Sequence, residues 1–545
     1  MSIKKDNMQN GITLIVLVIT ILVLLILAGV SIVVLTGDNG ILENTKTSKE
    51  KTKIGEEKEI VKLSQNADLI SNDGKRNTKE GLQNELDSME GTNKTKVIRD
   101  GKDSYIVTFL DTNRNYKIKY GKEVEGPIEI EVAEDNKAGD ITKGNTLDGS
   151  KEKPYQINCI EDWIDFSNKS ETDDFTGKEI ILTRNLDFLS ELAYEDYRTT
   201  KYGDMNNDGK TNELMEELTT GTGVKPVNIF KGNFDGQNKK INNLYINSSE
   251  ANAGLFKEVS NATIKNLIVH GEIFSVSNIG GIAAHISGKC YFYNLEYSGE
   301  IGEYKPFITN TGGIIGSVAN NSNIEINQCR NTANIIGSGY IGGIIGKIES
   351  KVKIKIINSY NEGILILKPS KLLQPYVSVG GILGNASLEL VIANCYNVGK
   401  IVNEVNNTYN AASGILGSSI NVDSTNITNC YNIGETRAKY SYITPFSGGI
   451  QGGFWYGQYK STITNCYYDG SKSDRSVGGT KEEYATKLTT NQIQGKEKID
   501  NQDGTSSTLV ELLNKEIENN STGADTSNWL RWKEGENGYP TFEGM

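Results

Sequence analysis

Histidine is almost missing from this chain: only His270 and His285 occur in 545 residues. That shortage excludes a His-Glu-x-x-His metalloprotease helix and leaves little material for a zinc site. The 6 cysteines form no Cys-x-x-Cys pair, which removes the common redox and zinc-ribbon motifs. Proline is scarce, at 8 residues, and no Gly-X-Y period runs through the chain, so a collagen-like rod is excluded. Positive charge is also short: 57 Lys and Arg stand against 69 Asp and Glu, a formal net charge of -12. Such a surface repels a polyphosphate backbone, and nucleic-acid binding has no electrostatic support. Hydrophobic residues make up 37% of the chain, a low share that at this length points to repeats rather than to disorder.

Glycine, by contrast, is abundant, at 58 residues, well above the usual ~7%. Many turns are implied. The one long apolar run, Ile12 to Leu35, holds 24 residues without a charge, and at ~1.5 Å per residue it reaches roughly 36 Å, enough to cross a bilayer as a helix. Residues 1–11 before it are short and basic, with Lys4 and Lys5, and end in Gly11-Ile12-Thr13-Leu14. After the break at Gly37-Asp38-Asn39-Gly40, residues 41 to about 70 read as a polar helix marked by Ile54, Ile60, Val61 and Leu63. A short helical pattern around Leu82 and Leu86 follows. Two alternating runs, Tyr105 to Phe109 and Tyr116 to Tyr120, then read as a hairpin joined by Asp111 to Asn115. From 125 to 153 the sequence is charged and glycine-containing without sustained periodicity, which predicts a linker.

From about residue 226 one pattern recurs. Aligned on Asn394-Cys395-Tyr396, the position three before the cysteine is Ile241, Ile264, Phe292, Ile326, Ile356, Ile392, Ile427 and Ile463. The residue before the anchor is Asn243, Asn266, Asn294, Gln328, Asn358, Asn394, Asn429 and Asn465. The anchor itself is Leu244, Leu267, Leu295, Cys329, Ser359, Cys395, Cys430 and Cys466. Four positions on, a glycine recurs, as Gly271, Gly363, Gly399 and Gly434, and is read as a corner. A second strip, running from Gly280-Gly281-Ile282 to Gly448-Gly449-Ile450, opens each later unit. A single unit of ~30 residues cannot bury its own apolar strip, but parallel coils stacked ~4.8 Å apart place Ile on Ile and Asn on Asn. Eight units predict a solenoid roughly 38 Å long.

The Gly11-Ile12 leader resembles that of type IV pilin-like proteins. The resemblance implies cleavage by a prepilin peptidase after Gly11, with Ile12 as the new N-terminus, and other pilins as partners. Val16 stands where that family usually carries a glutamate used in fibre assembly, so a plain bitopic anchor is the alternative. Helix plus hairpin over 36–124 resembles a small pilin head. The repeats resemble the GLUG-motif units of bacterial surface proteins, with Gly254-Leu255-Phe256 and Gly313-Ile314-Ile315-Gly316 as matching residues. Phe234-Asp235-Gly236, Tyr155-Gln156-Ile157 with Trp163 and Phe166, and the tail from Leu509 to Tyr539-Pro540 extend that resemblance over 154–545.

The fold expected is therefore mainly β: a leader (1–11), a transmembrane helix (12–35), a stalk with a small α+β pilin-like head (36–124), a linker (125–153), a solenoid opening with an acidic insertion (154–225), a parallel β-helix or β-solenoid of GLUG-type repeats (226–470) and a C-terminal cap (471–545). Anchorage is expected from the N-terminal helix, since no LPxTG-like signal or hydrophobic tail follows Tyr539-Pro540. The body is expected outside the cell, and the lysine, isoleucine and asparagine bias points to a low-GC Gram-positive source.

Asp204, Asn206 and Asp208 before Gly209, followed by Asn212, place oxygens at alternate positions in a way that suits calcium. Met215 occupies the twelfth position, where a calcium loop carries an acid, and the alternative is an acidic surface loop. No other cofactor is implied. Cys329, Cys395, Cys430 and Cys466 read as a ladder of small buried side chains rather than disulfides, because in-register Cβ vectors run side by side. The repeats show no recurring pair of carboxylates, which points away from a β-helix lyase or glycosidase. Display for an extracellular glycan or protein ligand is the expected function, with tyrosines such as Tyr291, Tyr293, Tyr297, Tyr396, Tyr431, Tyr467 and Tyr468 available for stacking where they face solvent. A polysaccharide-degrading enzyme or a purely structural surface component is the alternative.

Overall fold

The structure, a computed structural model, describes residues 41–545 apart from 72–76, 100–103, 120–121, 129–139, 143–146, 189–222, 304–308, 371–376, 387–388, 406–409, 420–424, 440–445 and 454–460. The leader, the apolar run 12–35 and the candidate calcium loop all lie outside the described residues. Among those that are described, no helix is long and apolar enough to cross a membrane. The chain divides into two compact units, 1–131 and 132–545.

In the first unit a 31-residue helix, α1 (Ile41–Ser71), precedes α2 (Lys79–Glu90) and an antiparallel meander of β1 (Thr95–Arg99), β2 (Ser104–Phe109), β3 (Arg114–Lys119) and β4 (Glu125–Ile128). The expected hairpin is β2–β3, in register from Ser104↔Lys119 to Phe109↔Arg114. β4 corrects the expected linker, whose first residues form an edge strand beside β3. The unit closes because Val61 of α1 and Leu82 and Leu86 of α2 cover Val97, Val107, Tyr116 and Ile118 of the sheet. Glu57 of α1 is 1% exposed in this core. Its carboxylate accepts from Tyr116 Oη at 2.8 Å, Thr112 Oγ1 at 2.8 Å and Arg114 Nη1 at 3.2 Å, and these partners make a buried charge tolerable.

The second unit is a β-solenoid of about 6 turns. One seven-stranded parallel sheet runs from Val227–Phe230 to Leu416–Ser419, and a six-stranded one follows the glycine strip from Ile279–Gly280 to Ser447–Gly448. A third, larger sheet carries the anchor motif. Pairings Ile264↔Phe292, Phe292↔Ile326, Ile326↔Ile356, Ile356↔Ile392, Ile392↔Ile427 and Ile427↔Ile463 put seven of the eight aligned residues in one column. The eighth does not stack: Ile264 pairs with Phe234, whereas Ile241 pairs with Val269. Two register irregularities and the left-handed residues Gln237 and Asn238 shift the first repeat to the following corner.

Helix α3 (Ile160–Lys169) closes the N-terminal end of the stack, where unpaired apolar surface would otherwise meet water. Trp163 and Phe166 are both fully buried against Phe234 and Phe256, with ring centroids 6.2–6.4 Å apart. Asp162, also fully buried, accepts from Asn158 N at 2.8 Å and so ties the helix start to the preceding strand.

Candidate ligand-binding face

Each coil turns at the residue before the anchor. Asn266, Asn294, Gln328, Asn358, Asn394, Asn429 and Asn465 all sit in the left-handed region, at φ between 48° and 57°. Asparagine is the non-glycine residue best suited to that conformation, and its amide can bond the coils above and below. Asn394 donates to Asn358 Oδ1 at 2.8 Å, Asn429 to Asn394 Oδ1 at 2.8 Å and Asn465 to Asn429 Oδ1 at 2.6 Å. The glycine four positions after the anchor was expected to supply the corner, but Gly271, Gly363, Gly399 and Gly434 are not at positive φ. They are small because a Cβ at Gly363, Gly399 or Gly434 would stand 1.8–2.1 Å from a carbonyl oxygen of the preceding coil.

Two residues past the anchor lies a second column that the sequence reading missed: Asn331, Asn361, Asn397 and Asn432, all fully buried. The first three each donate to the next at 2.7 Å, and all four to a backbone carbonyl two residues on at 2.9–3.0 Å. The second glycine of each Gly-Gly strip leaves room for this column, since a Cβ on Gly343 or Gly381 would meet Asn361 or Asn397 at 2.6 Å. Tyr297 and Tyr468 occupy the same register position at the two ends. The signal was present in the alignment, as an asparagine directly after Tyr360, Tyr396 and Tyr431.

All 6 cysteines are free and buried. Cys395, Cys430 and Cys466 each place Sγ 3.1–3.2 Å from the carbonyl two residues back, as Ser359 Oγ does at 2.8 Å, so the later coils carry a small donor where Leu267 and Leu295 stand in the earlier ones. Burial pushes the Cys329 thiol up from 9.0 to about 12, and those of Cys430 and Cys466 well above 9.0. A thiol raised in the folded state contributes stability that is present below pH 9 and lost as pH rises toward 12. The urea midpoint is therefore expected to fall between pH 9 and 12, and Cys329→Ser to flatten that fall. Native protein at pH 8 is expected to leave a thiol reagent unreacted until denaturant is added.

The outward face of the anchor sheet carries a row of tyrosines. On its later coils Tyr360, Tyr396 and Tyr431 stack with centroids 4.5 and 5.1 Å apart and planes within 7° of parallel. They are not open to solvent. The C-terminal segment, expected as a cap, lies along this flank: α4 (Thr490–Ile493), α5 (Leu509–Asn519) and the hairpin of Trp532–Glu534 with Pro540–Phe542 cover the tyrosines with Leu509, Leu513, Trp532 and Phe542. Trp532 Nε1 donates to Asn394 Oδ1 at 2.6 Å. Trp529 covers Ile357 and Ala393, and Lys355 pairs with Asp525 at 3.4 Å.

Of the tyrosines put forward for stacking, Tyr396, Tyr431 and Tyr467 are therefore buried beneath this segment, while Tyr297 and Tyr468 are buried in the solenoid core. Tyr291 and Tyr293 are 38% and 40% exposed, side by side on one strand of the coils that the C-terminal segment leaves uncovered. Lys289 Nζ lies 5.4 Å from the Tyr291 ring centroid, and Lys265 pairs with Asp235 at 3.2 Å. His285 bonds Ser317 Oγ at 2.8 Å in another sheet. Glu296 is tied to Arg330. Among the described residues no group of three or more His, Cys, Asp or Glu could hold a metal ion.

No family model matches the chain, and no curated protein matches it. Among solved structures it is similar to one described as "a putative immunoglobulin A1 protease from Bacteroides ovatus", at 17% identity and a TM-score of 0.36, over 72% of this chain and 94% of that one.

Proposed function

We propose that this is a membrane-anchored, pilin-like surface protein that holds a GLUG-type solenoid outside the cell as a binding platform for an extracellular glycan or protein. The observation that carries the reading is the half-covered lateral face: later coils sealed by the chain's own C-terminal segment, earlier coils left with Tyr291 and Tyr293 open. Paired exposed aromatics on a rigid sheet lose little conformational entropy on binding, which suits them to contact sugar rings or peptide side chains. The uncharged run Ile12 to Leu35, continued by α1 and a small antiparallel sheet, supports anchorage and a pilin-like head.

Intact mass and N-terminal sequencing of the protein from its native surface fraction test the anchor. A mature chain beginning at Ile12 is expected; recovery of the unprocessed chain in the soluble cytoplasmic fraction would overturn the reading. Binding is tested by presenting the full chain to glycan and host-matrix arrays. Saturable binding that Tyr291→Ala and Tyr293→Ala each weaken about tenfold is expected, as loss of an aromatic contact worth ~1.4 kcal/mol gives.

A further inference from the structure

The C-terminal segment shows how the corner column reads a polypeptide. Asn358 accepts from Leu530 N at 2.9 Å while its Nδ2 donates to Asn528 O at 2.8 Å, the paired donor and acceptor that a neighbouring strand would offer. One coil on, Asn394 donates to Leu530 O at 2.9 Å and accepts from Trp532 Nε1. Successive carboxamides thus bond residues 528, 530 and 532 of a chain running along the solenoid axis, while Trp529 packs on the row formed by Ile357 and Ala393.

Both rows continue beyond the segment. Behind Asn358 the column carries Gln328 and Asn294, also left-handed. Behind Ile357 the row carries Asn327 and then Tyr293. The segment turns away before reaching them, since Thr526 Oγ1 donates to Ile517 O and Asp525 pairs with Lys355. Gln328 is half-buried, and its amide makes no hydrogen bond among the described residues.

We propose that Gln328 and Tyr293 form a docking site for an extended peptide of a partner protein, aligned with residues 528–532 and offering an aromatic side chain to Tyr293; Asn294, whose amide already donates to Asn266 and Asn238, bounds it. This rests on the reading of the solenoid as a binding platform and names its ligand as protein. Polypeptide is favoured because a carboxamide offers one donor and one acceptor to a peptide backbone, and because polypeptide already occupies the continuation of this face. Beside Tyr293, Lys265 is paired with Asp235.

A phage library of random octapeptides panned on the full chain, alongside a glycan array, tests the proposal. Selected peptides are expected to carry an aromatic residue and to lose at least tenfold in affinity to Tyr293→Ala and to Gln328→Ala. They are expected to bind normally to Gln328→Asn, which restores the column's usual residue, and to Ile336→Ser, which alters an exposed residue outside both rows. Thermal melts of all variants establish that each is folded. Peptides indifferent to Gln328→Ala and Tyr293→Ala, or no peptide at all, would overturn the site. Glycan binding lost in Tyr293→Ala but kept in Gln328→Ala would overturn the peptide and leave the platform standing; absence of binding by every probe would remove both.

Discussion

Asn397→Leu is expected to lower the unfolding free energy of the solenoid by about 2–6 kcal/mol. Asn397 is fully buried, and its amide donates to Gly399 O at 2.9 Å and to Asn432 Oδ1 at 2.7 Å while Asn361 donates to it at 2.7 Å. Leucine keeps the volume but makes none of these bonds. Asn361 Nδ2 and Gly399 O lose partners where water cannot replace them, at ~1–3 kcal/mol for each stranded group. Asn426→Ala, on the exposed side of the same coil stack, is expected to change stability by no more than ~0.5 kcal/mol. Urea titrations of both variants check the contrast, and equal midpoints would mean that the inner column contributes little.

Trp532→Ala carries the second large effect. The ring is 1% exposed, with centroids 5.8 Å from Tyr396, 5.6 Å from Tyr431 and 4.4 Å from Phe542. Truncating a buried tryptophan costs about 3–5 kcal/mol. Here that cost falls on one lateral contact, so the C-terminal segment is expected to come free while the coils persist. Limited proteolysis should then cut within residues 489–545 at least tenfold faster, and a fragment ending near Leu488 should resist further digestion. Trp532→Phe, which keeps an aromatic ring but not the bond to Asn394, is expected to cost only about 1 kcal/mol beyond the lost area.

The parts of the fold legible in the sequence are those whose signal repeats. The Ile264-to-Ile463 column stacks as aligned because identical positions must lie in register when coils are parallel, and the glycine strip does so for the same reason. Helix α1 and the β2–β3 hairpin were legible from local periodicity alone. The first unit was misplaced because its motif recurs one corner late, and no periodicity distinguishes two corners of one coil. The lateral C-terminal segment left no local trace: Asn394 and Trp532 meet across 138 residues. Its course covered Tyr396, Tyr431 and Tyr467 among the candidate tyrosines, whose exposure depended on what packs against them. Tyr396 and Tyr293 are both plain outward tyrosines in sequence, yet one is 3% exposed and the other 40%.

The most direct test of the central claim, a solenoid whose lateral face is half sealed by its own C-terminus and half open to solvent, is tyrosine modification of the native full chain by tetranitromethane, mapped by mass spectrometry. Among the described tyrosines, Tyr291 and Tyr293 are expected to react first, with Tyr360, Tyr396, Tyr431 and Tyr467 protected until denaturant is added. Modification of the stacked tyrosines as fast as Tyr291 and Tyr293 would contradict the account.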